Sequence, residues 1–237
     1  MKDKIKAVLP RPVLKSVQWQ LKGYRNAKWR LSMGFRIEPL NRYYKYNVNL
    51  LPHRNYTDWF LEEFSADIRG HCLEFFKDEY AHKYGGNRIK KLDIINRDPG
   101  NPNATIVADL CEPNGIPDDT FDSIICTYTL HVVFDHCSFI RSVARILKPG
   151  GVLLIVVPCI SPIYHPNQYE LWRFTPLGLQ RVLEQAFSPD RITLRNYGNK
   201  LIACGDMHGL PSAMFTEGEL KKNDDGYPIT VAARAIK

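Results

Sequence analysis

Apolar positions along the chain follow two periods, and the change from one to the other sets the expected architecture. Leu14, Val17, Leu21 and Tyr24 recur at spacings of three and four, while Lys15, Lys22, Arg25 and Lys28 lie off that stripe. This predicts an amphipathic helix over 12–31, with Pro12 suited to its first turn. Gly34, Pro39 and Pro52 break the pattern over 32–54. Tyr56, Trp59, Phe60 and Phe64 make the apolar side of a helix over 55–66, and Asp67-Ile68-Arg69-Gly70 reads as a turn. Short apolar runs then predict strands over 71–75, 89–93, 105–108 and 121–126. A helix over 137–147 buries Phe139, Ile140, Val143, Ile146 and Leu147, and Lys148-Pro149-Gly150-Gly151 reads as its stop. The run 152–157 is so uniformly apolar that both faces of that strand should be covered. Thr175-Pro176 offers a cap and a first-turn proline for another helix, and 192–196 and 229–236 are the last two strands. Strand and helix alternate, so the expected fold is α/β: a doubly wound sheet of seven strands, mostly parallel, with an antiparallel last strand near 229–236. The expected division is a helical arm over 1–54 and one domain over 55–237.

Charge sharpens that division. The chain of 237 residues carries +7, but residues 1–54 hold 13 basic side chains against Asp3 and Glu38, which is +11, and the rest is −4. A basic arm on a mildly acidic domain implies an anionic partner for the arm, or neutralisation within the chain. The longest apolar run, Val152 to Val157, is far too short to span a bilayer, and Pro10-Arg11-Pro12 interrupts any signal-like segment. The six cysteines have no metal-site spacing. They read as reduced core residues of a cytoplasmic protein, with no metal expected.

Four pieces together resemble the class I S-adenosylmethionine-dependent methyltransferases. These are Leu73-Glu74 closing a strand after Gly70, Asp93, Ala108-Asp109-Leu110, and the block from Phe121-Asp122-Ser123-Ile124-Ile125 through Leu130-His131 to Arg145-Ile146-Leu147-Lys148-Pro149-Gly150-Gly151. Asn41-Arg42-Tyr43-Tyr44, Asp67-Ile68-Arg69-Gly70, Tyr84-Gly85-Gly86, Trp172-Arg173-Phe174-Thr175, Tyr197-Gly198-Asn199 and His208-Gly209-Leu210 are similar to a bacterial subgroup associated with glycan biosynthesis. The resemblance implies a Rossmann-like fold with S-adenosylmethionine across the carboxyl ends of the strands. It assigns the ribose diol to Asp93 and the adenine edge to Asp109 and Leu110. Glu74 either supports the loop or contacts the ligand. The chain reads Leu73-Glu74-Phe75-Phe76 where the family reads Leu-Glu-x-Gly. Either the loop takes another path, with Asp78 and Tyr80 against the ligand, or cofactor binding is weakened or lost.

Further candidates follow from chemistry. An imidazole ordinarily titrates near neutrality, so His131, after the fourth strand, is a candidate general base. Asp206 and His208 form a carboxylate–imidazole pair in an expected late loop. Trp172 offers a stacking face, Arg173 a bidentate fork for phosphate, and His165 stands in the same loop. The expected function is methylation of a small or glycan-type acceptor, O-methylation of a sugar above all, with the acceptor nucleotide-linked or phosphorylated. The first rival is a non-catalytic binding protein on this fold. The second is a nucleic-acid methyltransferase, which ranks last because nothing in the arm resembles a nucleic-acid-reading motif. Trp19, Trp29 and the basic flank suit a helix on an anionic membrane surface, which places the protein in the cytoplasm, in part peripheral at the inner membrane face.

Overall fold

The computed structural model describes residues 36–41, 50–163 and 170–237. Helix 12–31 and His165 lie outside the described residues. Seven strands form one sheet: β1 (Gly70–Phe75), β2 (Ile89–Asn96), β3 (Ile106–Val107), β4 (Phe121–Thr127), β5 (Leu147–Pro158), β6 (Ile192–Tyr197) and β7 (Thr230–Ile236). Their order is β3-β2-β1-β4-β5-β7-β6. The first five pair in parallel, and β7 runs antiparallel between β5 and β6.

The described residues also form the α-helices α1 (Pro52–Glu63), α2 (His136–Ile146), α3 (Pro176–Leu183), α4 (Lys200–Met207) and α5 (Glu217–Lys221). Alternation along β5 assigns them to faces. Leu153, Ile155 and Val157 pack with Phe139, Ile140 and Leu179 of α2 and α3, while Val152, Leu154 and Val156 pack with Tyr56, Phe60 and Ile202 of α1 and α4. A strand covered on both faces has no polar side to keep, which accounts for the unbroken apolar run.

Local chemistry sets the element ends. Asp135 caps α2 by accepting from the Ser138 N–H at 3.0 Å, and Thr175 caps α3 through the Gly178 N–H at 3.1 Å. Gly70 enters β1 at φ +66°, where a Cβ would lie 2.4 Å from Asp122 Oδ2. Arg234 of β7 grips Asp67 with two hydrogen bonds of 2.7 and 3.0 Å, tying the last strand to the turn before β1.

Several boundaries differ from expectation. The expected division after residue 54 falls inside α1, which starts at Pro52. Lys148-Pro149-Gly150-Gly151 is not a stop before a strand; it lies within β5, whose pairing with β4 shifts register between Phe121 and Ser123 while Gly150 takes φ +77°. Gly205 and Asp206 belong to α4 rather than to a loop. Strand β2 runs three residues past Asp93, because Ile94 and Ile95 continue the buried pattern.

Candidate functional site

A cavity of about 880 Å³ opens above the carboxyl ends of the parallel strands. Phe75 and Phe76 at the end of β1, Asn96, Arg97 and Asp98 at the end of β2, and Thr129 after β4 contribute to its wall. Strand order reverses between β1 and β4, which is the switch point where open α/β sheets bind ligands. Two of the three non-glycine residues with positive φ among the described residues stand at those two strand ends: Phe76 (φ 71°) and Tyr128 (φ 47°). Backbone strain of that kind persists where the surroundings enforce it, and it gathers at binding sites.

The loop after β1 therefore follows a glycine-like path with a phenylalanine in place. The Phe76 N–H donates to Ile95 O at 3.1 Å, the Lys77 N–H to Phe75 O at 3.0 Å, and Asn101 Nδ2 to Phe76 O at 2.7 Å. The ring lines the cavity, 44% exposed, and leaves the cavity open beside it. Below the loop, buried Glu74 accepts from the N–H groups of Tyr80 and Ala81, each at 2.8 Å. Burial pushes its carboxyl up to about 7, against the pull of those bonds. Glu74 thus supports the loop and does not line the cavity.

The cavity has a polar and an apolar end. Arg97, Asp98, Asp109 and Glu112 make the polar end, with the buried Leu110 beside them. Asp109 accepts from the Cys111 N–H at 2.9 Å and lies 3.7 Å from Arg97 Nη1; Asp98 accepts from the Gly100 N–H at 2.8 Å. Three carboxylates against one guanidinium suit a ligand that carries positive charge and hydroxyl donors. The carboxylate and amide oxygens of Asp98, Asp109 and Asn96 can accept from hydroxyl and amino groups such as those of an adenosine.

Sequence-expected residues divide into those that line the cavity and those that do not. Asp109 and Leu110 line the cavity. Asp93, by correction, stands mid-strand: it bonds to His71 Nε2 at 2.6 Å, Lys91 Nζ at 2.9 Å and Thr105 Oγ1 at 2.9 Å. Burial opposes ionisation there, but the bonds from Lys91, His71 and Thr105 outweigh it and hold its carboxyl below the usual range. Tyr80 is buried and bonded to Arg54 Nη1 at 2.5 Å, and exposed Asp78 lies 3.9 Å from His82; neither lines the cavity. His131 is also outside the lining and gives its carbonyl to the N–H groups of Leu171 and Trp172. Asp206 and His208 do not form a pair at the site. Asp206 is fully buried in α4, 3.8 Å from His53 Nδ1, and His208 follows that helix. Arg173 is turned inward: Nη2 reaches Glu170 Oε2 at 2.6 Å and Pro162 O at 2.7 Å. Trp172 donates its indole N–H to Val133 O at 2.9 Å.

The sequence reading missed Asn96, Arg97, Asp98, Thr129 and Phe134. The signal was present for Asp98, since Asp98-Pro99-Gly100 is a turn and the first acidic group after the apolar run ends. Among the described residues no three metal-ligating side chains gather, and no helix is long and apolar enough to cross a membrane.

The fold and this site define a class: the chain has the Rossmann-like α/β fold of S-adenosylmethionine-dependent methyltransferases. Residues 69–155 match the methyltransferase domain family model. Over 100 residues, 41% of the chain and 37% of the relative, it is 33% identical to the ubiquinone/menaquinone biosynthesis C-methyltransferase UbiE of Escherichia coli O1:K1. It is 32% identical over 94 residues to UbiE of Cronobacter sakazakii, and so spans well under half the length of these relatives. A methyltransferase structure from Mesorhizobium loti superposes with a TM-score of 0.53 at 14% identity, covering 78% of this chain and 98% of that one. One from Archaeoglobus fulgidus gives 0.52 at 12% identity, covering 78% and 94%. Family match and fold together imply S-adenosylmethionine as the cofactor.

Proposed function

We propose that the chain is an S-adenosylmethionine-dependent methyltransferase whose acceptor enters beside the end of β4. The observation that carries this reading is the cavity at the β1/β4 switch point, acidic where the adenosine would lie and flanked by two strained strand ends. When bound, the cofactor supplies an electrophilic methyl group on a sulfonium. Asp98, Asp109 and Leu110 hold its adenosine half, and Phe76 walls the methionine end. Aligning the two reactants accounts for most of the rate in such transfers, so a lining histidine is not required.

The finer expectation, O-methylation of a phosphorylated or nucleotide-linked glycan, leaned on Arg173. That guanidinium is committed to Glu170 and Pro162 and does not present its fork to a phosphate in the cavity. A second reading, a non-catalytic binding protein, is favoured by Phe76 in the glycine position. Calorimetric titration with S-adenosylmethionine and its demethylated product separates the two. Asp98→Ala and Asp109→Ala should each weaken binding roughly ten- to a hundredfold, the loss of a charged hydrogen bond. Asp93→Ala should lower Tm and leave affinity within about twofold. No heat from the wild-type chain at millimolar ligand sinks the enzyme reading.

A further inference from the structure

With Phe76 walling the methionine end, Phe134 and Leu171 are left in the cavity lining without a role toward the cofactor. Phe134 and Leu171 are 79% and 44% exposed, and Phe76, 44% exposed, lines the same cavity from the end of β1. Trp172, 40% exposed, stands beside Phe134 with ring centroids 6.3 Å apart. Its indole is held on one side by the bond to Val133 O and packs edge-on against His136 at 5.1 Å. A rigid, half-exposed aromatic loses little side-chain freedom when a ligand stacks on it. Exposed apolar surface gathered this way marks a ligand site rather than chance exposure. The strain at Phe76 points the same way, since a glycine would hold that backbone without cost and offer no ring.

Polar groups at this end are already engaged. The Thr129 hydroxyl donates to Thr127 O at 3.2 Å, and the Asp135 carboxylate caps α2. The nearby guanidinium of Arg173 is bound inward. A sugar would bring several hydroxyls that need partners, and a phosphate would need a free cation; both are costly to desolvate unpaired. A flat, uncharged ring needs neither.

We propose that this rim binds the methyl acceptor through a flat, uncharged ring, with Phe134 and Trp172 as its specificity-determining residues and Phe76 as the wall shared with the cofactor. The proposal rests on the reading of the adjoining polar end as the cofactor site. The cavity volume supports it: about 880 Å³ lies near the top of the roughly 300–1,000 Å³ found for single small-molecule sites, as a site for two reactants requires.

The test is calorimetric titration of the full chain, saturated with the demethylated cofactor, using 2-naphthol as the flat ring and methyl β-glucoside as the sugar. Naphthol should bind the wild type. Phe134→Ala and Trp172→Ala should each weaken it roughly five- to tenfold, with Trp172→Phe recovering most of the loss. Affinity for the demethylated cofactor should stay within about twofold in all three variants, which also shows that they fold. Naphthol binding that is undetectable, or unchanged in Phe134→Ala and Trp172→Ala, overturns the proposal, as does glucoside binding more tightly than naphthol. If the demethylated cofactor itself fails to bind, the methyltransferase reading falls, and the naphthol series on the free chain still decides the rim.

Discussion

Phe76 holds a left-handed backbone that costs a non-glycine residue about 1–2 kcal/mol. Comparing Phe76→Ala with Phe76→Gly isolates that strain, because neither variant keeps the ring. Urea unfolding should find the glycine variant more stable than the alanine one by about 1 kcal/mol, and the reverse order would mean the backbone is not strained. Glu74 supplies a pH dependence of definite sign. Its folded pKa, about 7, lies above the ordinary 4.5, so the unfolded chain releases this proton first as pH rises. Its contribution is complete below pH 4.5 and is lost as pH climbs to about 7, on the order of 3 kcal/mol in total. Asp93 has the opposite sense: its depressed pKa gives stability that is lost on acidification below the ordinary 3.8. Glu74→Gln should flatten the stability profile between pH 4.5 and 7, and should also lower Tm, because an amide turns one N–H donor toward a backbone N–H. A profile unchanged by the substitution would assign that slope to other groups.

At the scale of elements, what the sequence displayed was periodicity, and it carried far. The strands β1, β4, β6 and β7 and the helices α2 and α3 lie within a few residues of where their apolar patterns put them. The cavity lining was legible where a strand end and a recognised acidic residue coincide, as at Asp109 and Leu110. It was misread at β2 because Asp93 sits on the flank of a strand whose apolar run simply continues; a carboxylate in a hydrogen-bonded mid-strand network looks in sequence like one at a strand end. The placement of Asp206 depends on a contact far along the chain, with His53, which no local pattern encodes, whereas Arg173 turns to Glu170 and Pro162, three and eleven residues away, within a loop that has no periodicity to read. Helix α4 went unseen for a related reason: its register is fixed by packing, and a Cβ at Gly205 would lie 2.2 Å from Phe215 Cζ. Gly205→Ala should therefore cost about 1–3 kcal/mol by overpacking despite alanine's better helix propensity, read as a fall in Tm; a rise would show that Phe215 moves aside freely.

For the whole molecule, charge and topology are the relevant quantities. The +11 of residues 1–54 predicts that the full chain floats with anionic vesicles at low salt and that a chain lacking residues 1–31 does so less. Equal recovery of both in the soluble fraction counts against a membrane role for the arm. Topology has a consequence of a different kind. Among the described residues, strand β6 joins the sheet only through β7, which is itself held between β5 and β6. The protection of backbone amides against solvent deuterium must respect this hierarchy: any fluctuation that frees β7 also frees β6, whereas β6 can fray alone. Amides of Ile192–Tyr197 that bond to β7 can thus never be slower to exchange than the event that detaches Thr230–Ile236, while the β1–β4–β5 centre can outlast both.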